Sequence, residues 1–423
     1  MKSTNKPRVL ILGGGFGGLE CAKRLKKAKC HVTLIDRNNH HLFQPLLYQV
    51  ASAGLSMPEI AKPLRATVDV DKDLDILMDN VEAIDLEKKE VSLKTRKLEY
   101  DYLIIALGAV SGYFGNDHWA KYTVGLKSLE EAGTIRRNIL HAYERAEICE
   151  DPEEQKKLMT TVVIGGGPTG VETAGAFSEL ARQVINKDFY HIDPVESRVI
   201  LIEAAPKVLA QFPDPLPEKA KASLEKMGVD VRVNSPVKDI TEKKVHLEDE
   251  VIEAENIIWG AGVQASPITK KLNIPVDRGG RILVEPDCSL PGYENVFAIG
   301  DIASLTDANN TKVPGVSPAA IQMGSHVSKL ISQDIEGEGA KDKKREPFVY
   351  FDKGSMATIG RSSAIAQIGP LKIDGFVAWL LWLGVHLIFL VGFRNKVAVL
   401  LQWLYAYFTY QRGARIITGL TAK

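Results

Sequence analysis

One arrangement occurs twice in this chain, and it constrains the fold more than any other feature: an apolar strand, a glycine-rich turn, a helix, then a strand closing on an acidic residue. The first copy runs Val9-Leu-Ile-Leu12, Gly13-Gly-Gly-Phe-Gly-Gly18, a helix from about Leu19, and His31-Val-Thr-Leu-Ile35 before Asp36. The second runs Thr161-Val-Val-Ile164, Gly165-Gly-Gly-Pro-Thr-Gly170, a helix from about Val171, and Arg198-Val-Ile-Leu-Ile202 before Glu203. In the second copy the acid follows Gly170 by 33 residues, where ~20 is usual. An insertion is therefore expected around Asn186 to Glu196, where Pro194 stops any helix.

Each part has a physical task. Gly13 and Gly165 permit the tight turn, Gly15 and Gly167 let backbone amides approach a diphosphate, and Gly18 and Gly170 let the helix pack close to its strand. The diphosphate would rest on a helix N-terminus, where free N–H groups and the dipole favour negative charge. Asp36 and Glu203 can each accept hydrogen bonds from a ribose 2′-hydroxyl and repel a 2′-phosphate, so Glu203 favours NADH over NADPH. A single glycine turn often does no more than connect two elements. Two copies, each with its strand, helix and acid, imply two bound dinucleotides.

Flanking segments fit the same scheme. Tyr102-Leu-Ile-Ile-Ala-Leu-Gly108 and Asn256-Ile-Ile-Trp-Gly-Ala-Gly262 are apolar strands ending in small residues, and Glu294-Asn-Val-Phe-Ala-Ile-Gly300-Asp301 ends in an acid placed to bind a polyol or to cap the next helix. Cys21, Cys30, Cys149 and Cys288 lie far apart, without redox or metal-ligand spacing, so no metal site is expected. Lys plus Arg and Asp plus Glu both number 53, leaving no global basic field for nucleic acid.

At these residues the chain resembles the two-dinucleotide-binding-domain flavoproteins and, more closely, the type II NADH dehydrogenases, single-chain NADH:quinone oxidoreductases that do not pump protons. The resemblance covers nearly the whole chain. It rests on Gly13 to Gly18, Phe43-Gln-Pro-Leu-Leu-Tyr-Gln-Val-Ala51, Gly165 to Glu172, Trp259-Gly-Ala-Gly-Val263, Ala298-Ile-Gly-Asp301 and a Trp-rich basic tail. It implies an FAD domain split in sequence, at 1–118 and 263–345, around an NADH domain at 119–262, with a membrane-associating region at 346–423.

By that likeness Gly13, Gly15, Gly18, Asp36 and Arg37 hold the ADP part of FAD, Asp301 meets the ribityl chain, and Gln44 and Pro45 lie near the isoalloxazine. Phe16, Gly17, Ala106, Gly108, Gly300 and Ala320 complete the FAD site; Gly165, Gly167, Pro168, Thr169, Gly170, Glu203, Ala261 and Gly262 form the NADH site. Glu172 sits in the first turn of the second cofactor helix, where the dipole alone would account for it; the resemblance gives it a catalytic role beside nicotinamide and quinone. Gln322 matches the second of two pocket glutamines found in many members, and Pro318 stands where the first would be. Gln322 can still hydrogen-bond a quinone carbonyl, whether ubiquinone or menaquinone.

The charge balance hides an asymmetry. Residues 375–423 hold Arg394, Lys396, Arg412, Arg415 and Lys423 and no acid, so a basic apolar tail follows an acidic body. Phe376 to Phe393 would span ~27 Å as a helix and Val397 to Tyr410 ~21 Å, short of a crossing pair through a ~30 Å core. With Trp379, Trp382, Trp403, Tyr405, Tyr407 and Tyr410, they read as two helices lying in one leaflet. A buried core or dimer helix is the other reading of such runs, and a homodimer could present a common membrane face. The fold class expected is α/β, with two Rossmann-like domains, for FAD and NADH, and a C-terminal amphipathic helical membrane anchor. The polar N-terminus lacks the pattern of a secretory signal, which puts the body on the cytoplasmic face of the cell membrane.

Rivals share the scaffold. Disulfide reductases need a Cys pair beside the flavin, and sulfide:quinone oxidoreductases need late cysteines, whereas none follows Cys288. Ferredoxin-type reductases lack such a tail. From another class, a non-enzymatic, nucleotide-dependent redox sensor at a membrane would carry the same cofactor motifs.

Overall fold

The computed structural model describes residues 6–68, 70–186, 188–337, 345–411 and 413–419. In chain order its main elements are β1 (Arg8–Leu12), α1 (Phe16–Leu25), β2 (His31–Asp36), α2 (Leu47–Ala51), β3 (Leu74–Met78), β4 (Tyr102–Ile105), β5 (Val124–Gly125) and α3 (Leu129–Glu147). There follow β6 (Thr160–Ile164), α4 (Pro168–Glu179), β7 (Arg198–Ile202), β8 (Val229–Arg232), β9 (Asn256–Trp259), β10 (Ser289–Leu290), β11 (Tyr293–Ala298) and α5 (Ser317–Glu336). The chain closes with β12 (Ser355–Thr358), β13 (Ala364–Ile368), β14 (Leu371–Asp374), α6 (Gly375–Phe389) and α7 (Phe393–Thr409). These fall into two compact units: Met1–His41, Lys62–Val110 and Val263–Asp352 in the first, and Leu42–Ala61, Ser111–Gly262 and Lys353–Lys423 in the second.

The first unit is built on a six-stranded sheet in the order β10-β11-β4-β1-β2-β3, parallel except for β10. Its apolar strands are buried on both faces, as a covered parallel sheet requires. Val9 and Ile11 point into a core with Leu19, Ala22 and Leu25 of α1 and Val327 and Ile331 of α5. Leu10 and Leu12 point into the opposite core with Ile84, Val91 and Tyr100. Small residues bring α1 against α5: a Cβ on Gly324 would lie 2.6 Å from the Gly17 carbonyl oxygen, and one on Gly17 3.0 Å from that of Ala320.

The second unit repeats the scheme with a five-stranded parallel sheet, β5-β9-β6-β7-β8. In both sheets the glycine turn follows the strand whose neighbours lead in opposite directions along the chain, the position where open α/β sheets bind ligands. Between α4 and β7 the helix ends in a π turn at Leu180–Val184, and a single 3₁₀ turn forms at Pro194–Glu196. This is the expected insertion. The antiparallel β12-β13-β14 sheet then leads into α6 and α7.

The helices after both glycine turns begin three residues earlier than the sequence suggests, at Phe16 and Pro168. Gly15 and Gly167 are their N-caps, and the later glycines lie inside the first turn, where their missing side chains let the helix pass its own loop. Glu172 is consequently the fifth residue of α4, beyond the first turn, so helix-end charge stabilisation does not account for it.

Candidate functional site

The two glycine turns are near-copies in atomic detail. Gly13 and Gly165 adopt φ of +103° and +106°, and their N–H groups donate to Ile35 and Ile202, both at 2.7 Å. A Cβ on Gly18 would lie 1.9 Å from the Gly13 oxygen, and one on Gly170 1.8 Å from the Gly165 oxygen. The acids close each loop: Asp36 Oδ2 accepts from Gly14 N–H at 2.6 Å and Glu203 Oε2 from Gly166 N–H at 2.5 Å. Their other oxygens accept from Asn38 and Ala205 N–H, both at 2.7 Å. Each carboxylate oxygen keeps acceptor capacity for a ribose hydroxyl.

The first unit gathers one cofactor constellation. A Cβ on Gly13 would collide with the Ala106 oxygen at 2.3 Å, so the turn lies against the end of β4. Gly108 and Gly300 take positive φ of +65° and +72°, and Gly300 and Asp301 occupy a 3₁₀ turn beside Ala320 of α5. Arg37 is exposed beside Asp36. Around Gly15 no protein atom comes within 4 Å of where a Cβ would stand. The helix N-terminus thus has open space in front of it, which fits the diphosphate of FAD.

Gln322, in the same unit, bonds the backbone of Phe351 at both ends of its amide. Its Nε2 donates to the Phe351 carbonyl at 3.0 Å and its Oε1 accepts the Phe351 N–H at 2.9 Å. The side chain pins residues 345–352 to α5 in the manner of one rung of a sheet.

The second unit gathers the other set. A Cβ on Gly165 would lie 2.4 Å from the Ala261 Cα, Gly262 accepts from Gly112 N–H at 3.1 Å, and Pro168 and Thr169 form the first turn of α4. As at Gly15, the space at Gly167 is open.

Glu172 lies deeper along α4, 9% exposed. Burial pushes its carboxyl up to about 8, against weaker opposing effects from Thr358 N–H and the Trp382 indole. The Thr358 hydrogen bond is long, 3.3 Å, and Trp382 Nε1 is buried without a well-formed bond. Trp382 stacks on His386 at 3.9 Å and meets Tyr48 at 6.3 Å and Trp403 at 5.8 Å. His386 binds the Trp382 carbonyl through Nδ1 at 2.7 Å, and burial drives its pKa down to about 4, so it is neutral at physiological pH. Gln44 is exposed and Pro45 half-buried, on a 3₁₀ turn leading into α2, whose Tyr48 and Gln49 face this aromatic cluster. A neutral carboxyl beside the Trp382 indole, itself packed in an aromatic cluster, suits a planar, uncharged acceptor that takes up protons.

Sequence reasoning placed all of Trp379, Trp382 and Trp403 at a lipid interface, but Trp382 is 1% exposed and turned inward. One signal was available: Trp382 and His386 are four apart, on one helix face. Lys396 and Arg415, assigned there to headgroups, have partners within the unit, the Ile388 carbonyl at 2.6 Å and the Asp188 carboxylate. Arg394 is exposed; Arg412 and Lys423 lie outside the described residues. Cys21 and Cys30 are buried, with thiols raised to about 12 and about 11 by desolvation, which disfavours thiolate chemistry at either.

The family described as pyridine nucleotide-disulphide oxidoreductase matches residues 7–324, and the NDH2 C-terminal domain family matches residues 353–410. Over 428 aligned residues the chain is 44% identical to the type II NADH:quinone oxidoreductase Ndh of Mycobacterium tuberculosis, covering 98% of this chain and 91% of that one. The chain belongs to the type II NADH:quinone oxidoreductases. A member from Staphylococcus haemolyticus is 29% identical, covering 88% of this chain and 92% of its own. In fold the chain is similar to the Plasmodium falciparum NDH2 structure solved with NADH, with a TM-score of 0.88 at 20% identity, covering 98% of this chain and 100% of that chain. The sulfide:quinone oxidoreductase of Aquifex aeolicus shares the scaffold less closely, with a TM-score of 0.69 over 92% of each chain.

Proposed function

We infer that this chain oxidises NADH and passes two electrons through FAD to a membrane quinone, without pumping protons. Bound FAD would supply the redox chemistry, accepting hydride equivalents and releasing two electrons. The protein's own residues do the rest. Gly13 to Gly18 with Asp36 would hold the ADP part of FAD, with Arg37 beside it, and Asp301 the ribityl chain. Gly165 to Gly170 with Glu203 would hold NADH, and the Glu203 carboxylate would turn away a 2′-phosphate by like-charge repulsion.

The observation that carries the quinone half is Glu172, a carboxyl that keeps its proton at neutral pH beside Trp382, whose ring in turn meets Tyr48. In this reading it supplies a proton to a quinone oxygen as electrons arrive, and His386, neutral, packs the pocket. Gln322 holds residues 345–352 in place through one bond at each end of its amide, and its second N–H hydrogen and second oxygen lone pair remain, the hydrogen for a quinone carbonyl.

Attachment to the membrane is the second part of the proposal. Phe376, Leu380, Leu381 and Ile388 of α6 and Phe393, Leu401, Leu404 and Phe408 of α7 are exposed. An unburied apolar surface of this kind suits the boundary of a lipid leaflet. Among the described residues no helix is long and apolar enough to cross a membrane. The reading is of two helices lying in the cytoplasmic leaflet, with two copies of the chain sharing that face as a homodimer.

The test is to purify the protein, record its flavin spectrum, and follow NADH and NADPH oxidation with ubiquinone and menaquinone analogues without oxygen. NADH should bleach the flavin and a quinone should restore it. Flavin bleached by NADH and reoxidised by neither quinone would overturn the reading.

A further inference from the structure

The two dinucleotide loops provide an internal control for each other, and they differ in how the carbonyl of the middle glycine is held. In the second loop Gly166 is clamped on both sides: its N–H by Glu203 Oε2 at 2.5 Å, and its carbonyl by the backbone N–H of Leu209 at 2.7 Å. Leu209 takes a left-handed φ of +50°, an uncommon conformation for a leucine. In the first loop the matching Gly14 is clamped at its N–H by Asp36 Oδ2 at 2.6 Å. Its carbonyl is met by a side chain instead, His41 Nδ1 at 2.9 Å.

The chemistry fixes the histidine. A carbonyl oxygen can only accept, so Nδ1 must carry the hydrogen and donate it. Burial lowers the His41 pKa to about 4, so at neutral pH the ring holds one proton and Nε2 is bare. Nε2 is buried without a hydrogen-bond partner, a cost that native structures seldom carry. The ring is set edge-on to Phe16, the first residue of α1, at 5.1 Å. His41 is 2% exposed, too deep for a solubility role.

We propose that His41 is a positioning residue for FAD, holding the Gly14 carbonyl, and with it the Gly14–Gly15 peptide, so that the loop presents its free N–H groups to the cofactor diphosphate. It does for the FAD loop what a strained backbone N–H does for the NADH loop. The inference rests on the FAD site as read above.

The test compares His41→Leu, which removes the donor, with His41→Asn, whose amide nitrogen can stand where Nδ1 stands. Each holoprotein is stripped of FAD and titrated back with it, following the loss of flavin fluorescence, while NADH affinity is measured separately. His41→Leu should weaken FAD by about ten- to a hundredfold, the range for stranding one buried acceptor, and leave NADH affinity unchanged. His41→Asn should recover most of the loss. Wild-type affinity in His41→Leu, or equal weakness in both variants, overturns the proposal. Should neither variant fold, ¹⁵N-histidine spectra of the wild-type holoprotein decide: a proton on His41 Nδ1 supports it, and a bare Nδ1 overturns it. A wild-type protein that takes up no FAD would instead sink the cofactor reading itself.

Discussion

Glu172 Oε1 accepts a hydrogen bond from the backbone N–H of Thr358 at 3.3 Å, which ties α4 to β12, the strand from which the tail begins. The bond is too long to offset burial, and the carboxyl stays protonated up to about pH 8. Quinone-dependent turnover should therefore hold through neutral pH and fall as pH rises through about 8. Glu172→Gln should lower kcat with quinone by about a hundredfold, within the range for a lost proton donor, and abolish that alkaline limb, while NADH oxidation by ferricyanide is unchanged. Unchanged quinone turnover with an unchanged pH profile would end the assignment. The same shift has a stability consequence. The folded state binds a proton that the unfolded state releases near its ordinary value, so stability is lost as pH rises through the folded value. Between pH 5 and 9 the melting temperature of the wild type should fall further than that of Glu172→Gln.

The glycine loops separate folding from ligand binding. At Gly18 a Cβ would strike the Gly13 oxygen at 1.9 Å, so Gly18→Ala should destabilise the first unit severely and yield protein without flavin. Gly15→Ala meets no protein atom and an ordinary φ of −68°. It should fold, with the same melting temperature in the absence of FAD, yet bind FAD at least about tenfold more weakly, because the added methyl stands where the diphosphate approaches. Gly167→Ala should do the same to the KM for NADH and leave FAD bound. Equal FAD affinity in Gly15→Ala and wild type would show that the diphosphate lies elsewhere.

Glu203 closes its loop by accepting from Gly166 and Ala205 N–H, and its charge is the proposed source of the nucleotide preference. Glu203→Gln keeps an oxygen for one of these donors and removes the charge. The preference for NADH over NADPH, read as the ratio of kcat/KM values, should fall by about tenfold or more, since a like-charge contact at 4 Å is worth ~1–4 kcal/mol across ordinary effective dielectrics. Glu203→Ala should cost activity with both nucleotides. A ratio unmoved in Glu203→Gln would remove charge repulsion as the source of specificity.

Both Rossmann-like sheets were legible in the sequence because each rests on local signals: a buried strand, a glycine turn, and an acid whose distance from the turn is set by one helix. The helix starts were missed by three residues because Gly17, Gly18 and Gly170 read as loop residues, yet each is helical so that backbone can pass backbone. The setting of Glu172 was not legible. Its neighbours Thr358 and Trp382 lie about 190 and 210 residues further along the chain, and no local pattern says that Trp382 turns inward while Phe376 and Leu380 on the same helix stay open. His41 was passed over for a related reason, since its partner Gly14 is 27 residues away and nothing in its own neighbourhood marks it.

The tail prediction turns on which residues are open. α6 is apolar on its exposed side as well as its buried one: Ala378 and Trp382 pack inward, whereas Phe376, Leu380 and Leu381 do not. α7 is anchored to its unit by Trp403 Nε1 to Gln49 at 2.8 Å and by Asn395 to the Pro58 carbonyl at 3.1 Å, which leaves Leu404 and Phe408 outward. If these side chains enter a leaflet, replacing Leu380, Leu381 and Phe408 together by Ser forfeits ~1.5–3 kcal/mol for each fully buried side chain, enough to weaken binding by more than a hundredfold. Sedimentation with vesicles should show the wild type pelleting and the triple variant remaining in solution, with ferricyanide activity and melting temperature equal in the two. Because Lys396 and Arg415 already have partners, raising salt should weaken wild-type binding only modestly, whereas a surface held by headgroup charge would be released steeply. Co-sedimentation that survives the triple substitution and collapses in salt would assign attachment to charge and leave the apolar faces for another copy of the chain.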